Sequence, residues 1–111
     1  MPVREMDRYS LVILRRPSSA PQMSEAELDA LQEKHLAFLQ AMRARGVMLA
    51  AGPFADQPDE SWRGMCLYTT GIEETRALAG EDPAVLAGRL SVEVLAWLTP
   101  KGTLKGGTAQ G

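Results

Sequence analysis

The stretch SEAELDALQEKHLAFLQAMRARG, residues 24–46, decides the fold class. Ser24 followed three residues later by Glu27 forms a capping box, in which each side chain satisfies a free backbone N–H of the first turn. Met23 and Leu28 occupy the positions of a hydrophobic staple around that cap. Leu28, Leu31, His35, Phe38, Leu39 and Met42 then recur at helical spacing and make one apolar stripe. Glu25, Glu33, Lys34, Gln40 and Arg43 fall mainly on the other side. Gly46 suits the left-handed residue that ends a helix. The pattern predicts a helix over Glu25–Arg45.

On the N-terminal side, Tyr9–Leu14 (YSLVIL) is a short β-branched and aromatic run that suits a buried strand. Arg15 to Pro21 then reads as a loop, with two prolines and small polar residues. On the C-terminal side, Val47–Ala51 is a short apolar strand ending at Gly52-Pro53, and Asp56–Ser61 is a polar loop. Trp62–Thr70 alternates, with Met65, Leu67 and Thr69 on one face and Cys66 and Tyr68 on the other. A helix is expected over Ile72–Ala79. Asp82-Pro83, an N-cap before the favoured first helical residue, starts another short turn that Gly88 closes. Leu90–Leu98 is the last strand. Residues 101–111 read as a glycine-rich, flexible tail, so the domain is expected over 1–100.

The order β-α-β-β-α-β predicts an α+β chain with the ferredoxin-like split βαβ sheet, both helices on one face. In the last strand Val92, Val94, Ala96 and Leu98 share one face, and Glu93, Leu95 and Trp97 the other. Helices cover only one side of such a sheet, and monomers avoid a large bare apolar face. A homodimer with sheets packed face to face is therefore expected.

A chain of 111 residues holds one core rather than two. A formal net charge of −2 lacks the basic excess of a nucleic-acid binder. Arg15-Arg16 and the Arg43/Arg45 pair read as solvated surface. One cysteine permits no internal disulfide, which fits a reducing compartment, and neither a signal peptide nor a membrane span is apparent. A cytoplasmic location without membrane partners is the expectation.

The helix with Glu33-Lys34-His35-Leu36, the strand into Ala51-Gly52-Pro53-Phe54, the turn Asp82-Pro83-Ala84-Val85 and the strand Val92-Glu93-Val94 come in a telling order. In that order and spacing the chain resembles the YCII-related (YciI-like) domain, over about Tyr9 to Leu98. The resemblance implies a ferredoxin-like fold that dimerises as a dimeric α/β barrel. It also implies an active-site pair of histidine and aspartate, which falls on His35 and Asp82. The chain departs from the family pattern at Ala84, where many relatives have an aromatic residue. It departs again at Leu95-Ala96, where many have a basic residue and a proline.

Read by their own chemistry, His35 and Asp82 each carry two meanings. A histidine on the core-facing side of a helix packs worse than leucine and needs a polar partner, so it is either a satisfied structural group or a proton-transfer group. An aspartate before proline is explained by capping alone, but its second oxygen is free to orient a histidine. Gly52, Pro53 and Phe54 form either an ordinary strand-ending turn or a substrate-binding segment. Glu93, on the face away from the helices, reads either as a polar wall of a pocket or, the favoured reading, as a partner of Arg89 or Arg63 at the dimer seam. Trp62 and Trp97 read as packing or interface anchors. Cys66 reads as a small buried strand residue.

No metal site is expected, since one histidine and one cysteine do not make the usual zinc set and the Asp56–Glu60 loop lacks calcium-loop spacing. No phosphate-binding glycine loop, nucleotide fingerprint or serine elbow occurs, so no cofactor is implied. Two functions fit. One is a cofactor-free enzyme using His35 and Asp82 for elimination or isomerisation of a small organic molecule. The other is a non-catalytic dimer that binds a small molecule or a protein partner.

Overall fold

The structure is a computed structural model and describes residues 5–104. Its elements in chain order are β1 (Met6–Arg15), α1 (Glu25–Ala44), β2 (Met48–Pro53), β3 (Trp62–Tyr68), α2 (Ile72–Ala79), α3 (Pro83–Leu86) and β4 (Ser91–Pro100). The four strands make one sheet in the order β2-β3-β1-β4, every neighbouring pair antiparallel. This is the ferredoxin-like arrangement that the element order predicts. Of the expected tail, residues 101–104 form a turn and the rest lies outside the described residues.

Strand β1 is longer than its apolar run because both its edges are paired. The ladder with β4 runs from Met6↔Pro100 to Arg15↔Ser91 and draws Asp7 and Arg8 into the strand. Tertiary pairing here overrides the weak local preference of polar residues. The same pairing carries β4 two residues past Leu98.

The capping box forms as read: the Glu27 N–H donates to Ser24 Oγ (3.1 Å) and the Ser24 N–H to Glu27 Oε1 (2.8 Å). Gly46, at φ +78°, takes the left-handed position after the helix. Met42, Leu78 and Ala79 of the helices pack on Val12, Leu14, Cys66 and Tyr68 of the sheet. Helix α2 starts at Gly71, which offers no side-chain cap. A buried polar knot ties its first turn to the sheet: Ser10 Oγ (2.6 Å) and Thr75 Oγ1 (3.1 Å) both donate to the Thr70 carbonyl.

The other face of the sheet carries Tyr9, Leu11, Ile13, Met65, Leu67, Leu95 and Trp97. Trp97 packs on Tyr9 (ring centroids 6.3 Å apart), yet it and Leu95 stay largely exposed. Arg15 is not simply solvated. Its guanidinium sits 4.5 Å over the Trp62 ring, and its Nε lies 2.7 Å from Glu93. The expected pairing of Glu93 with Arg63 or Arg89 is therefore corrected to Arg15. The register explains it: Ile13 faces Glu93, so Arg15 is its diagonal neighbour on the same face.

Strand β3 holds an irregularity that regular alternation hides. Leu14 pairs with Gly64 but Arg15 pairs with Trp62, so Arg63 is an extra residue without a partner on β1. A bulge of this kind re-aims a side chain. Beside it, β2 and β3 approach so closely at Gly64 that a Cβ there would lie 2.6 Å from the Gly52 carbonyl oxygen. Only glycine fits that contact without moving backbone.

Candidate functional site

Helix α1 presents His35 on its inner side, and α3 begins directly opposite it. Asp82 is the N-cap of α3, and its Oδ1 accepts from the Ala84 N–H (2.9 Å). Its second oxygen, Oδ2, lies 2.7 Å from His35 Nδ1, across 47 residues of sequence. A carboxylate only accepts, so Nδ1 carries the proton and donates. The side chains are 12% and 3% exposed respectively. The cap therefore holds the carboxylate, and the carboxylate holds the imidazole. In the neutral ring this leaves the lone pair on Nε2, which has no hydrogen-bond partner among the described residues.

His35 forms part of the wall of a cavity of about 580 Å³ between α1 and the sheet. Leu28, Leu31 and Leu39 of the same helix make the apolar roof, with Leu14 and Cys66 on the sheet side. Gly52 and Pro53 also line it, as the last residues of β2 rather than as a loop beyond it. Phe54 is not in the lining and packs instead on Trp62, ring centroids 5.9 Å apart. Three arginines for which the sequence suggests other places, Arg16 on solvated surface and Arg63 and Arg89 beside Glu93, line the cavity as well. Arg16 thus departs from the solvated-surface expectation. Nothing in the hydrophobic period signals these positions, because one follows a strand end, one is the bulge residue and one sits in the connection to β4.

The side chains beneath the pair are buried and feel the charge of Asp82. Burial pushes the Cys66 thiol up to about 12, and the nearby Asp82 carboxylate adds to the shift. Burial, then Cys66 and Asp82, push the Tyr68 hydroxyl up likewise. An unfolded thiol ionises near pH 8.5. Because the folded value is raised, the stabilisation is intact below about pH 8.5 and is lost as pH climbs towards 12. Taking native protein from pH 8 to 10 should therefore cost roughly 2 kcal/mol more stability than taking Cys66→Ala over the same range. Urea unfolding of both proteins at the two pH values checks this. Equal losses would mean that Cys66 is not buried as described.

Among the described residues no cluster of three or more His, Cys, Asp or Glu side chains could hold a metal ion. No helix there is long and apolar enough to cross a membrane.

Comparison with known proteins places this architecture. The solved 5-chloro-2-hydroxyhydroquinone dehydrochlorinase TftG of Burkholderia phenoliruptrix, in complex with 2,5-dihydroxybenzoquinone, is similar, with a TM-score of 0.57 and 18% identity. The match covers 80% of this chain and 92% of that one. A variant of SnoaB, a cofactor-independent oxygenase of Streptomyces nogalater, matches with a TM-score of 0.47 and 20% identity, over 88% of this chain and 97% of that one. No curated protein matches the sequence. The model of the YCII-related domain matches residues 8–98, the segment that contains the whole sheet core, both larger helices and the His35–Asp82 pair. The chain belongs to the YCII-related domain family.

Proposed function

We propose that the cavity is the active site of a cofactor-free enzyme that moves a proton on a small organic molecule, with His35 Nε2 as the base or acid and Asp82 as the group that orients it. The observation that carries this reading is the 2.7 Å contact between two nearly buried side chains at the wall of a mainly apolar cavity. An imidazole fixed at Nδ1 by a carboxylate presents a defined Nε2, which is the geometry general acid–base catalysis needs. Elimination of halide or water and isomerisation are the reactions such a group manages by proton transfer alone. The architecture shared with a dehydrochlorinase is in keeping with this. Gly52 and Pro53 would bound the substrate from the sheet side.

The alternative is a non-catalytic binding dimer. It calls for an apolar floor with Asp82 away from His35, so the contact between the two favours the enzyme. The test is chloride release from 5-chloro-2-hydroxyhydroquinone and related halogenated phenols by the native protein and by His35→Gln. Turnover lost in a folded His35→Gln supports the proposal, and equal turnover in both proteins ends it.

The same reading includes a homodimer formed through the open sheet face. Leu95 and Trp97 are 52% and 39% exposed there, beside the buried Ile13 and Leu67. A second copy would cover an apolar surface that water otherwise meets. Sedimentation should find native protein at twice the monomer mass and Trp97→Glu at the monomer mass. Native protein sedimenting as a monomer would overturn this part.

A further inference from the structure

Three cations line the cavity, and none of them is in an ion pair among the described residues. Arg16 follows β1, Arg63 is the bulge residue of β3, and Arg89 lies between α3 and β4. All three line the cavity, and all three also line an adjoining depression of about 570 Å³, so they stand where the two hollows meet. Each is half-buried. Backbone carbonyls steady two of them: Arg63 Nη1 donates to Glu60 O (3.2 Å) and Arg89 Nη1 to Pro21 O (2.9 Å). The Nε of Arg16 is buried and has no hydrogen-bond partner among the described residues. The ion pairs found there involve Arg15, His35 and Arg76, so no carboxylate among them stands within 4 Å of the trio. The acidic side chains of the two hollows are Asp29 and Glu60, two charges against three.

This grouping works against the fold. Like charges gathered in a half-buried site repel, and a buried donor without a partner costs free energy. Burial, then the charges of Arg63 and Arg89, hold the Arg16 guanidinium below the usual arginine range. The chain as a whole is acidic, with a formal net charge of −2 that already counts these three arginines. A cluster that weakens the free protein gains a reason if a ligand supplies the missing charge. The guanidinium fork matches a carboxylate better than any other side chain does.

We propose that the cavity takes a small organic carboxylate, its acid group held by Arg16, Arg63 and Arg89 and its apolar body lying along the roof of α1 towards His35. Leu28 lines both hollows and so marks the arginine end. His35 is seven residues further along the same helix, about 10 Å at the rise of an α-helix. That span suits a single ring with a short acidic arm. Only the statement that the reacting end meets His35 rests on the catalytic reading; the acid seat stands apart from it.

The probe is 3-phenylpropionate, with its uncharged amide as the control. Titrations are followed by the ¹H–¹⁵N signals of backbone and arginine Nε–H groups and by melting temperature. The acid should bind at least 10-fold more tightly than the amide, move the Arg16 Nε–H signal, and weaken as salt is raised. Arg16→Gln and Arg89→Gln should each lose at least 10-fold in acid affinity while leaving the amide unchanged. Without ligand, both variants should melt no lower than native protein, since repulsion has been relieved. His35→Gln should bind the acid within about threefold of native. Acid and amide binding alike, or arginine variants that bind the acid as native does, would overturn the proposal. An acid preference retained in a protein that turns nothing over would instead leave the seat standing and remove the catalytic reading.

Discussion

Asp82→Ala is expected to cost the fold about 3 kcal/mol, far more than its position at the start of a four-residue helix suggests. Two donors lose their acceptor at once. The Ala84 N–H loses its cap, worth about 1 kcal/mol at helix N-termini. The Nδ1–H of His35 is left without a partner in a site where the ring is only 12% exposed, a loss of roughly 1–3 kcal/mol. Asp82→Asn is expected to cost less than half as much. Its carbonyl oxygen keeps the cap, and its amide nitrogen takes the place of Oδ2 beside the imidazole. Urea unfolding of the three proteins measures both differences. A loss in Asp82→Ala no larger than in Asp82→Asn would mean that the carboxylate is a solvated surface cap and that the pair has no structural weight.

The second large effect is on turnover, and here the order of the two variants reverses in meaning. With a substrate in hand, Asp82→Asn should retain fold and binding but lose about 10²–10⁴ in kcat, the range a positioned proton-transfer group supplies. The reason is the proton's address. The introduced asparagine, capping α3 through its oxygen, must turn its NH₂ towards Nδ1, which then has to accept. The ring proton moves to Nε2, and the lone pair that faced the cavity is gone. The same exchange in a Ser-His-Asp triad costs about 10⁴ in kcat while preserving geometry. His35→Gln should lose a comparable factor, and the double variant no more than either single one, because the two residues act as a unit. Losses that simply multiply in the double variant would show two independent contributions and would sink the dyad.

Much of the frame is legible in the sequence. Helix α1 carries its own start, stripe and stop, and α2 ends where its pattern ends. Strand boundaries are less so, since what lengthens β1 and β4 is each other, not their composition. The site is legible only in part. His35 stands out as a polar residue in an apolar stripe, and Asp82 as a cap with a spare oxygen. They stand 47 positions apart, nothing in the segment between relates them, and only the resemblance joins them. The arginines were hidden for a different reason. Arg63 follows from a bulge, and a one-residue slip in alternation reverses the face on which a side chain is expected. Phe54 belongs to the expected Gly-Pro-Phe segment, but its ring is claimed by Trp62.

The chemistry proposed for the site rests on one arrangement, an imidazole whose Nδ1 proton is held by Asp82 so that Nε2 offers its lone pair to the cavity. The ¹⁵N spectrum of the imidazole reads this directly, and a single histidine makes the two nitrogen signals assignable without ambiguity. Recorded where the ring is neutral, native protein should show Nδ1 protonated and Nε2 bare, and Asp82→Asn should show the reverse. A native ring protonated at Nε2, or a spectrum that Asp82→Asn leaves unchanged, would contradict it.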